Sequence, residues 1–200
     1  MDISNMNNIE SRVQSYWTKR AHNFNIVRKN ELNSSISERW REEIVHFLPE
    51  GKVLQILDVG TGSGILSIAA LKLGAGHAVG TDLDPCAIDA TYENMEVNGI
   101  SKDKYEVMIG NIIDDKEVQD KVGYGCYDIV VANILADVLV PLTPVIVNQL
   151  KDGGIYVTSG IIEDKEETVK AAVEAAGLTV LEVHHQGEWV SVTARKETKA

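Results

Sequence analysis

The sequence contains few cysteines, no long uninterrupted apolar segment and no excess of basic residues, and each absence excludes a class of protein. Its 200 residues include only two cysteines, Cys86 and Cys126. Two cysteines make neither a disulfide framework nor the spacing of a metal site, so we expect free thiols with a structural or incidental role. We therefore predict no metal centre.

The most apolar segment is too interrupted to cross a membrane. Residues 129–147 include an asparagine, an aspartate and two prolines, whereas a membrane-spanning helix needs about 20 consecutive, mostly apolar residues. The first ten residues are polar, so we expect no secretory signal. The sequence predicts a cytoplasmic protein that does not enter a membrane.

The charge balance is acidic and uneven. The formal net charge is −11, which argues against nucleic acid as the main partner. Residues 1–54 carry eight Lys or Arg and seven Asp or Glu (net +1), and residues 55–200 carry eleven and twenty-three (net −12). The acidic part is either an ordinary solvated surface or a surface that attracts a cationic substrate.

Two regions differ in their periodicity. Apolar residues recur at helical spacing in the first third, so we predict a helical cap or lid over residues 1–52 and one compact domain over residues 53–200. Tyr16 and Arg20 share a helix face in the cap. They either pack with solvated tips or contact the carboxylate of a cofactor.

From residue 53 onwards, apolar strands alternate with helices. Strands are predicted at residues 53–59, 77–81, 105–109, 127–132 and 155–159, and helices at 65–73, from 84, at 134–150 and at 163–176. Pro141 and Pro144 should bend or split the helix at 134–150. The alternation predicts a parallel sheet with helices on both faces. Two final strands around Gly187 form a hairpin. The predicted fold is therefore α/β and Rossmann-like, with a doubly wound, mostly parallel, seven-stranded sheet and a C-terminal antiparallel hairpin.

A glycine-rich loop joins the first predicted strand to the first helix. It consists of Gly60, Thr61, Gly62, Ser63 and Gly64. Glycines let a backbone approach a ligand closely, and the helix start offers free N–H groups; the alternative is a tight turn without a ligand. Ile65 stands where a dinucleotide-binding turn has Gly or Ala, and no Gly-Lys-Ser/Thr ending follows. Both facts argue against nicotinamide and nucleotide triphosphate ligands.

Carboxylates stand on both sides of this loop. Asp58 would repel a pyrophosphate but can accept hydrogen bonds relayed from the cationic amino-acid end of S-adenosylmethionine. Asp82 lies 82 − 60 = 22 residues after Gly60, where a carboxylate can accept both ribose hydroxyls, and Leu83 follows it. Asp84 is a rival that we interpret as a helix N-cap because a proline follows it.

Two asparagines end later strands. Asn111 either meets an adenine amino group or forms an Asx turn. Asn133 comes at the carboxyl end of its strand, where open α/β sheets bind ligands. On local sequence alone an N-cap of the following helix is the favoured interpretation, and the two roles are not exclusive.

Five segments carry a family resemblance. They are residues 57–70 (LDVGTGSGILSIAA), 82–85 (DLDP), 131–136 (VANILA), 159–163 (SGIIE) and 187–190 (GEWV). Over about residues 56–196 the chain resembles the bacterial methyltransferases that modify large-subunit ribosomal protein eleven. The resemblance implies transfer of a methyl group from S-adenosylmethionine to an amine, with S-adenosylhomocysteine as product. It also implies that Asn133 is the catalytic contact to the amine and touches the cofactor.

The first third does not share this resemblance. Members of that family carry a separate N-terminal domain that binds the ribosomal protein and a Phe-Gly-Thr-Gly segment, and neither is found in this sequence. Residues 16–21 and 48–52 instead resemble the start of small-molecule methyltransferases, whose N-terminal helix covers the cofactor. The acceptor is thus a ribosomal protein or a small amine. An oxygen or carbon acceptor, a NAD-dependent oxidoreductase and an inactive cofactor-binding module are the alternatives.

Overall fold

A computed structural model describes residues 53–198 as one seven-stranded sheet flanked by helices. The strands are β1 (Gln55–Val59), β2 (His77–Asp82), β3 (Tyr105–Ile109), β4 (Tyr127–Asn133), β5 (Leu150–Ile162), β6 (Leu178–Gln186) and β7 (Trp189–Lys196). The helices are α1 (Ile65–Lys72), α2 (Cys86–Val97), α3 (Lys116–Val122), α4 (Ala136–Ile146) and α5 (Glu166–Ala175), with short 3-10 helices at Lys102–Lys104 and Glu163–Lys165. The predicted helical cap, with Tyr16 and Arg20, lies outside the described residues.

The strand order β3-β2-β1-β4-β5-β7-β6 confirms the predicted fold. β1 pairs in parallel with both β2 and β4, and β4 pairs in parallel with β5. β7 pairs antiparallel with β5 and β6, as the hairpin pattern predicted. After β3 the chain crosses back over the sheet to β4, so the strand order reverses between the neighbouring strands β1 and β4. Sheets of this kind form a ligand crevice at that point, at the carboxyl ends of the strands.

The core lies on both faces of the sheet. The largest cluster of buried apolar residues joins the sheet to α3, α4 and α5, while α1 and α2 pack together against β1, β2 and β3. In α4, Leu139, Leu142 and Ile146 are fully buried, at the spacing of three and four that places residues on one helix face. This packing fixes where the strand ends, and therefore the site, must lie.

Helix α4 is shorter than predicted and is not split. It begins at Ala136 and ends at Ile146, with Pro141 and Pro144 inside it. Both prolines are exposed, so their rings lie away from the buried face of the helix. Of the two expected effects, a split is therefore excluded, and a bend at the prolines stays a prediction.

Helix α3 was not predicted from the sequence. Asp115 caps it, because its Oδ1 atom accepts hydrogen bonds from the backbone N–H groups of Glu117 (2.9 Å) and Val118 (3.4 Å). Only Val118 and Val122 are buried in this seven-residue helix. Two apolar positions among charged residues give too weak a periodicity for recognition, although the capping aspartate was a usable signal.

We predict that Val173→Ala, on the buried face of α5, lowers the free energy of unfolding by about 2 kcal/mol, because two buried carbon atoms are lost and a small cavity remains. The matched control is Val97→Ala, since Val97 is also helical but is 78% exposed; its effect should stay within about 0.5 kcal/mol. Urea unfolding measures the free energy of unfolding of both variants, provided that its dependence on urea concentration has the same slope in each. Equal effects would contradict the core assignment.

Candidate active site

A cavity of about 370 Å³ opens at the carboxyl ends of the strands, a volume within the range of small-molecule sites. Its wall is mostly apolar, formed by Leu83, Ile112, Ile113, Ile134, Leu135 and Val138. The glycine loop enters through Gly60, and the polar side chains of Asp82 and Asn111 also line the wall. Four positions that the sequence singled out as cofactor contacts thus meet in one cavity, namely Gly60, Asp82, Leu83 and Asn111.

The glycine loop has a backbone that only glycine adopts easily. Gly60, Gly62 and Gly64 have φ angles of 73°, 52° and 75°, in the left-handed region. A side chain at Gly60 would come within 2.5 Å of the Ile134 side chain, and one at Gly64 within 2.7 Å of the Thr91 side chain. The loop therefore packs closely against neighbouring segments as well as turning sharply.

The other two loop residues differ in exposure. Thr61 is buried, and its backbone N–H donates to the Thr81 carbonyl at 3.1 Å. Ser63 is exposed, and its backbone carbonyl accepts a hydrogen bond from Asn94 Nδ2 at 2.9 Å. The loop is thus tied to β2 and to α2, which leaves the Ser63 side chain facing solvent.

Asp58 is a buried carboxylate between the loop and the first turn of α1. Its Oδ2 atom accepts hydrogen bonds from Thr61 Oγ1 (3.0 Å), Ser67 Oγ (3.0 Å) and the Ser67 backbone N–H (3.3 Å). Loss of water around this buried group raises its pKa to about 6, and the hydrogen bonds from Ser67 and Thr61 oppose the rise. At neutral pH the carboxylate is mostly ionised, so a negative charge lies behind the loop.

Tyr105 completes this buried network, although the sequence marked it only as the start of a strand. Its hydroxyl shares a hydrogen bond with Thr61 Oγ1 and donates to Asp58 Oδ2 at 3.5 Å. Burial and the Asp58 charge raise the pKa of Tyr105 well above its ordinary value, so the hydroxyl stays neutral. Ser67 was missed as well. Neither residue carries a sequence signal for a place in this network, because only the fold brings them to Asp58. Tyr105, for example, lies 44 positions from Thr61.

Asp82 connects the glycine loop to the cavity. Its Oδ2 atom accepts a hydrogen bond from the Gly62 backbone N–H (2.8 Å), and its Oδ1 atom accepts one from the Asp84 backbone N–H (2.9 Å). Asp84 is exposed, and its own Oδ1 accepts a hydrogen bond from the Cys86 backbone N–H at 2.9 Å, whereas Pro85 occupies the cap position of α2, one residue after the predicted N-cap. Since Asp82 lines the cavity, the geometry favours Asp82 over Asp84 as the ligand contact.

Asn111 forms the Asx turn that was one of its two interpretations. Its Oδ1 atom accepts a hydrogen bond from the Ile113 backbone N–H (3.1 Å), and its Nδ2 donates to Asp114 Oδ2 (3.0 Å). The residue also lines the cavity. The turn does not exclude a ligand contact, so the contact to adenine stays a prediction.

Asn133 ends β4 beside the cavity and is exposed. It pairs with Ser159 of β5, and the next residue, Ile134, lines the cavity. The N-cap interpretation is wrong, because Leu135 occupies the cap position of α4 and no side chain caps that helix. Its carboxamide is therefore available for a contact other than helix capping.

Membrane spans and metal clusters do not occur among residues 53–198. No helix there is long and apolar enough to cross a membrane. No group of three or more His, Cys, Asp or Glu side chains in that part of the chain lies close enough to hold a metal ion. Both cysteines are free thiols, as expected.

Comparison with known proteins adds a family to this geometry. The family model described as "Ribosomal protein L11 methyltransferase (PrmA)" matches residues 39–197, so the match begins before residue 56, where the predicted resemblance starts. A protein named ribosomal protein L11 methyltransferase from Agathobacter rectalis is 60% identical over 144 residues, which are 72% of this chain and 45% of that protein. The chain spans a little under half the length of the curated relatives it matches.

Solved structures agree. The crystal structure of ribosomal protein L11 methylase from Lactobacillus delbrueckii subsp. bulgaricus is 31% identical with a TM-score of 0.65, and the match covers 74% of this chain and 72% of that one. The protein SMU.776, complexed with SAH, is 13% identical with a TM-score of 0.65 and shares the fold, over 78% of this chain and 48% of its own. The family match over residues 39–197 and the 31% identity to the L11 methylase structure show that the chain belongs to the ribosomal protein L11 methyltransferase (PrmA) family.

Proposed function

We propose that the protein is an S-adenosylmethionine-dependent N-methyltransferase whose acceptor is an amine of ribosomal protein L11. One observation carries the proposal. A single cavity is bounded by the glycine loop, by Asp82 and by Ile134, and Ile134 directly follows the exposed Asn133. A cofactor in the cavity would therefore lie next to a side chain that can receive an amine.

The residues around the cavity fit this cofactor. The apolar walls suit an adenine ring, the Asp82 carboxylate suits ribose hydroxyls, and the Asp58 charge behind the loop suits the cationic amino-acid end. When bound, S-adenosylmethionine supplies a methyl group already activated on a sulfonium sulfur. The same Asp58 charge disfavours the pyrophosphate of NAD, which weakens the oxidoreductase alternative.

The chemistry required of the protein is orientation of the acceptor. The neutral Oδ1 atom of Asn133 can accept a hydrogen bond from the amine N–H and direct the nitrogen lone pair towards the methyl carbon. A free lysine amine has a pKa near 10.4, and the apolar walls of the cavity, Leu135 among them, favour the neutral, reactive form over the ammonium. Positioning supplies much of the rate in such a displacement, and no protein nucleophile takes part.

The family name favours a ribosomal protein over a small molecule as acceptor, and we propose a cytoplasmic location because ribosomal proteins are assembled there. The resemblance of residues 16–21 to small-molecule methyltransferases favours the alternative acceptor, a small molecule with an amine, oxygen or carbon nucleophile. Methylation assays with L11 and with small acceptors in parallel distinguish the two.

We predict that Asp82→Ala weakens the binding of S-adenosylhomocysteine by about 1–3 kcal/mol, the scale for losing hydrogen bonds to a charged group. Asp84→Ala is the matched control, since Asp84 accepts a hydrogen bond from the Cys86 backbone N–H at 2.9 Å and does not line the cavity. Isothermal titration calorimetry measures both affinities. Unchanged binding by the Asp82 variant, or an equal loss in both variants, would refute the assignment.

We predict that the affinity for S-adenosylmethionine rises with pH through the pKa of Asp58, about 6. A cation binds the ionised carboxylate better, so binding lowers this pKa, and affinity increases as the unbound site loses its proton. Between about pH 5 and about pH 7, where the cofactor amine (pKa about 8) stays charged, the Kd should fall by up to about tenfold. Asp58→Asn keeps the shape of the side chain and should remove the dependence; a variant with the same pH profile would exclude Asp58 as its source.

We predict that Asn133→Ala lowers kcat by about 100-fold, the scale for misplacing a reacting group, with a much smaller loss of affinity for S-adenosylhomocysteine. Radiolabelled methyl transfer to purified bacterial L11, with mass spectrometry of the product, gives the rate and the modified residue. Asn148→Ala is the control, because Asn148 is exposed and lies just before the amino end of β5, whereas Asn133 lies at the carboxyl end of β4. Transfer only to small hydroxyl compounds would contradict the proposed acceptor.

A further inference from the structure

Strand β5 contains an irregularity next to Asn133. In its pairing with β7, Thr158 lies opposite Val192 and Ile161 lies opposite Val190. Two residues of β5, Ser159 and Gly160, therefore face a single residue of β7, which is the arrangement of a β-bulge. Such bulges are common beside active sites, where they change the direction of a side chain or of the backbone.

Gly160 has no room for a side chain, because Asn133 occupies the space. Its φ angle is +77°. A Cβ atom built on Gly160 would lie 2.7 Å from Asn133 Oδ1, 3.1 Å from the Ile134 carbonyl oxygen and 3.3 Å from the Ile134 nitrogen. The bare backbone of the bulge thus forms one wall against which the Asn133 carboxamide packs.

We propose that Gly160 is a positioning residue for methyl transfer, because the bulge sets the direction of the Asn133 carboxamide. The consequence for catalysis rests on the proposed function of Asn133, whereas the packing itself does not. The carboxamide torsion of asparagine is intrinsically broad, and the approach of Asn133 Oδ1 to Gly160 narrows the angles open to it. The close approach of Gly160 thus restricts the carboxamide.

A methyl group at position 160 would displace the carboxamide rather than the backbone. Ile134 is confined on its other side, since its Cγ2 atom already lies 2.5 Å from where a Cβ of Gly60 would be. Moving the Ile134 backbone would therefore press on the glycine loop. Rotation of the exposed carboxamide costs less, and it moves the one oxygen that the proposed mechanism uses.

The test compares Gly160→Ala with Gly177→Ala. Gly177 has a similar φ angle, +82°, but nothing lies within 4 Å of its hypothetical Cβ, so the control variant has the same backbone strain without the contact. With S-adenosylmethionine and purified L11, kcat of Gly160→Ala should fall by about 10- to 100-fold, and kcat of Gly177→Ala should change by less than about twofold. Both variants should bind S-adenosylhomocysteine as the unmodified protein does.

A double-mutant cycle isolates the contact. In an Asn133→Ala background, adding Gly160→Ala should change kcat by less than about twofold, because the displaced group is gone. Equal kcat in Gly160→Ala and Gly177→Ala, or an undiminished effect in the Asn133→Ala background, would overturn the proposal. Asn133→Gln keeps the amide group but moves it by one carbon, so its kcat should fall by about as much as that of Gly160→Ala. Full activity of Asn133→Gln would also overturn the proposal.

A measurement without activity separates this proposal from the proposed function. The side-chain amide NMR signal of Asn133, identified by its loss in Asn133→Ala, should shift in Gly160→Ala and stay in place in Gly177→Ala. Absence of any methyl transfer by the unmodified protein would refute the proposed function, while a shifted signal would still support the positioning. An unshifted signal would refute the positioning in either case.

Discussion

The parallel pairing of β1 with β2 on one side and β4 on the other is the constraint on which the site depends. β1 (Gln55–Val59) is buried along nearly its whole length, and its two neighbours align their carboxyl ends with it. The loop after β1, Asp82 at the end of β2 and Asn133 at the end of β4 therefore meet at one edge. Residues far apart in sequence are brought together by main-chain hydrogen bonds, and the side chains only refine their placement.

Close approach between segments is the second requirement, and glycine meets it at two places in the site. Gly60 admits the Ile134 side chain and Gly160 admits the Asn133 carboxamide. The segment of residues 133–134 is thus clamped between the glycine loop and the bulge of β5. A side chain at either glycine would separate elements that the sheet has aligned, so both positions act through the space they leave empty.

Much of this architecture could be predicted from the sequence. Apolar strands ending in glycine, aspartate or asparagine indicated the sheet and the positions of Asp58, Asp82 and Asn133, because parallel strand ends share an edge. The Asp58–Thr61–Tyr105 network could not be predicted, since it depends on the register between β2 and β3. Helix α4 was predicted too long, because its apolar residues continue at both ends into the segments that join it to β4 and β5, and its two prolines lie within the helix, exposed.

The bulge in β5 also makes the site sensitive to chain length. An extra residue in a strand inverts the alternation of inward and outward side chains beyond it. Thr158 and Ile161 both point inward across the bulge, and Ile162 is left exposed beside Trp189, its partner in β7. Deleting one residue between them would turn Ile161 to the solvent and break its packing in the core. A deletion at the bulge is therefore more damaging than a substitution there. Homologous chains should keep the same number of residues from Asn133 to the end of β5.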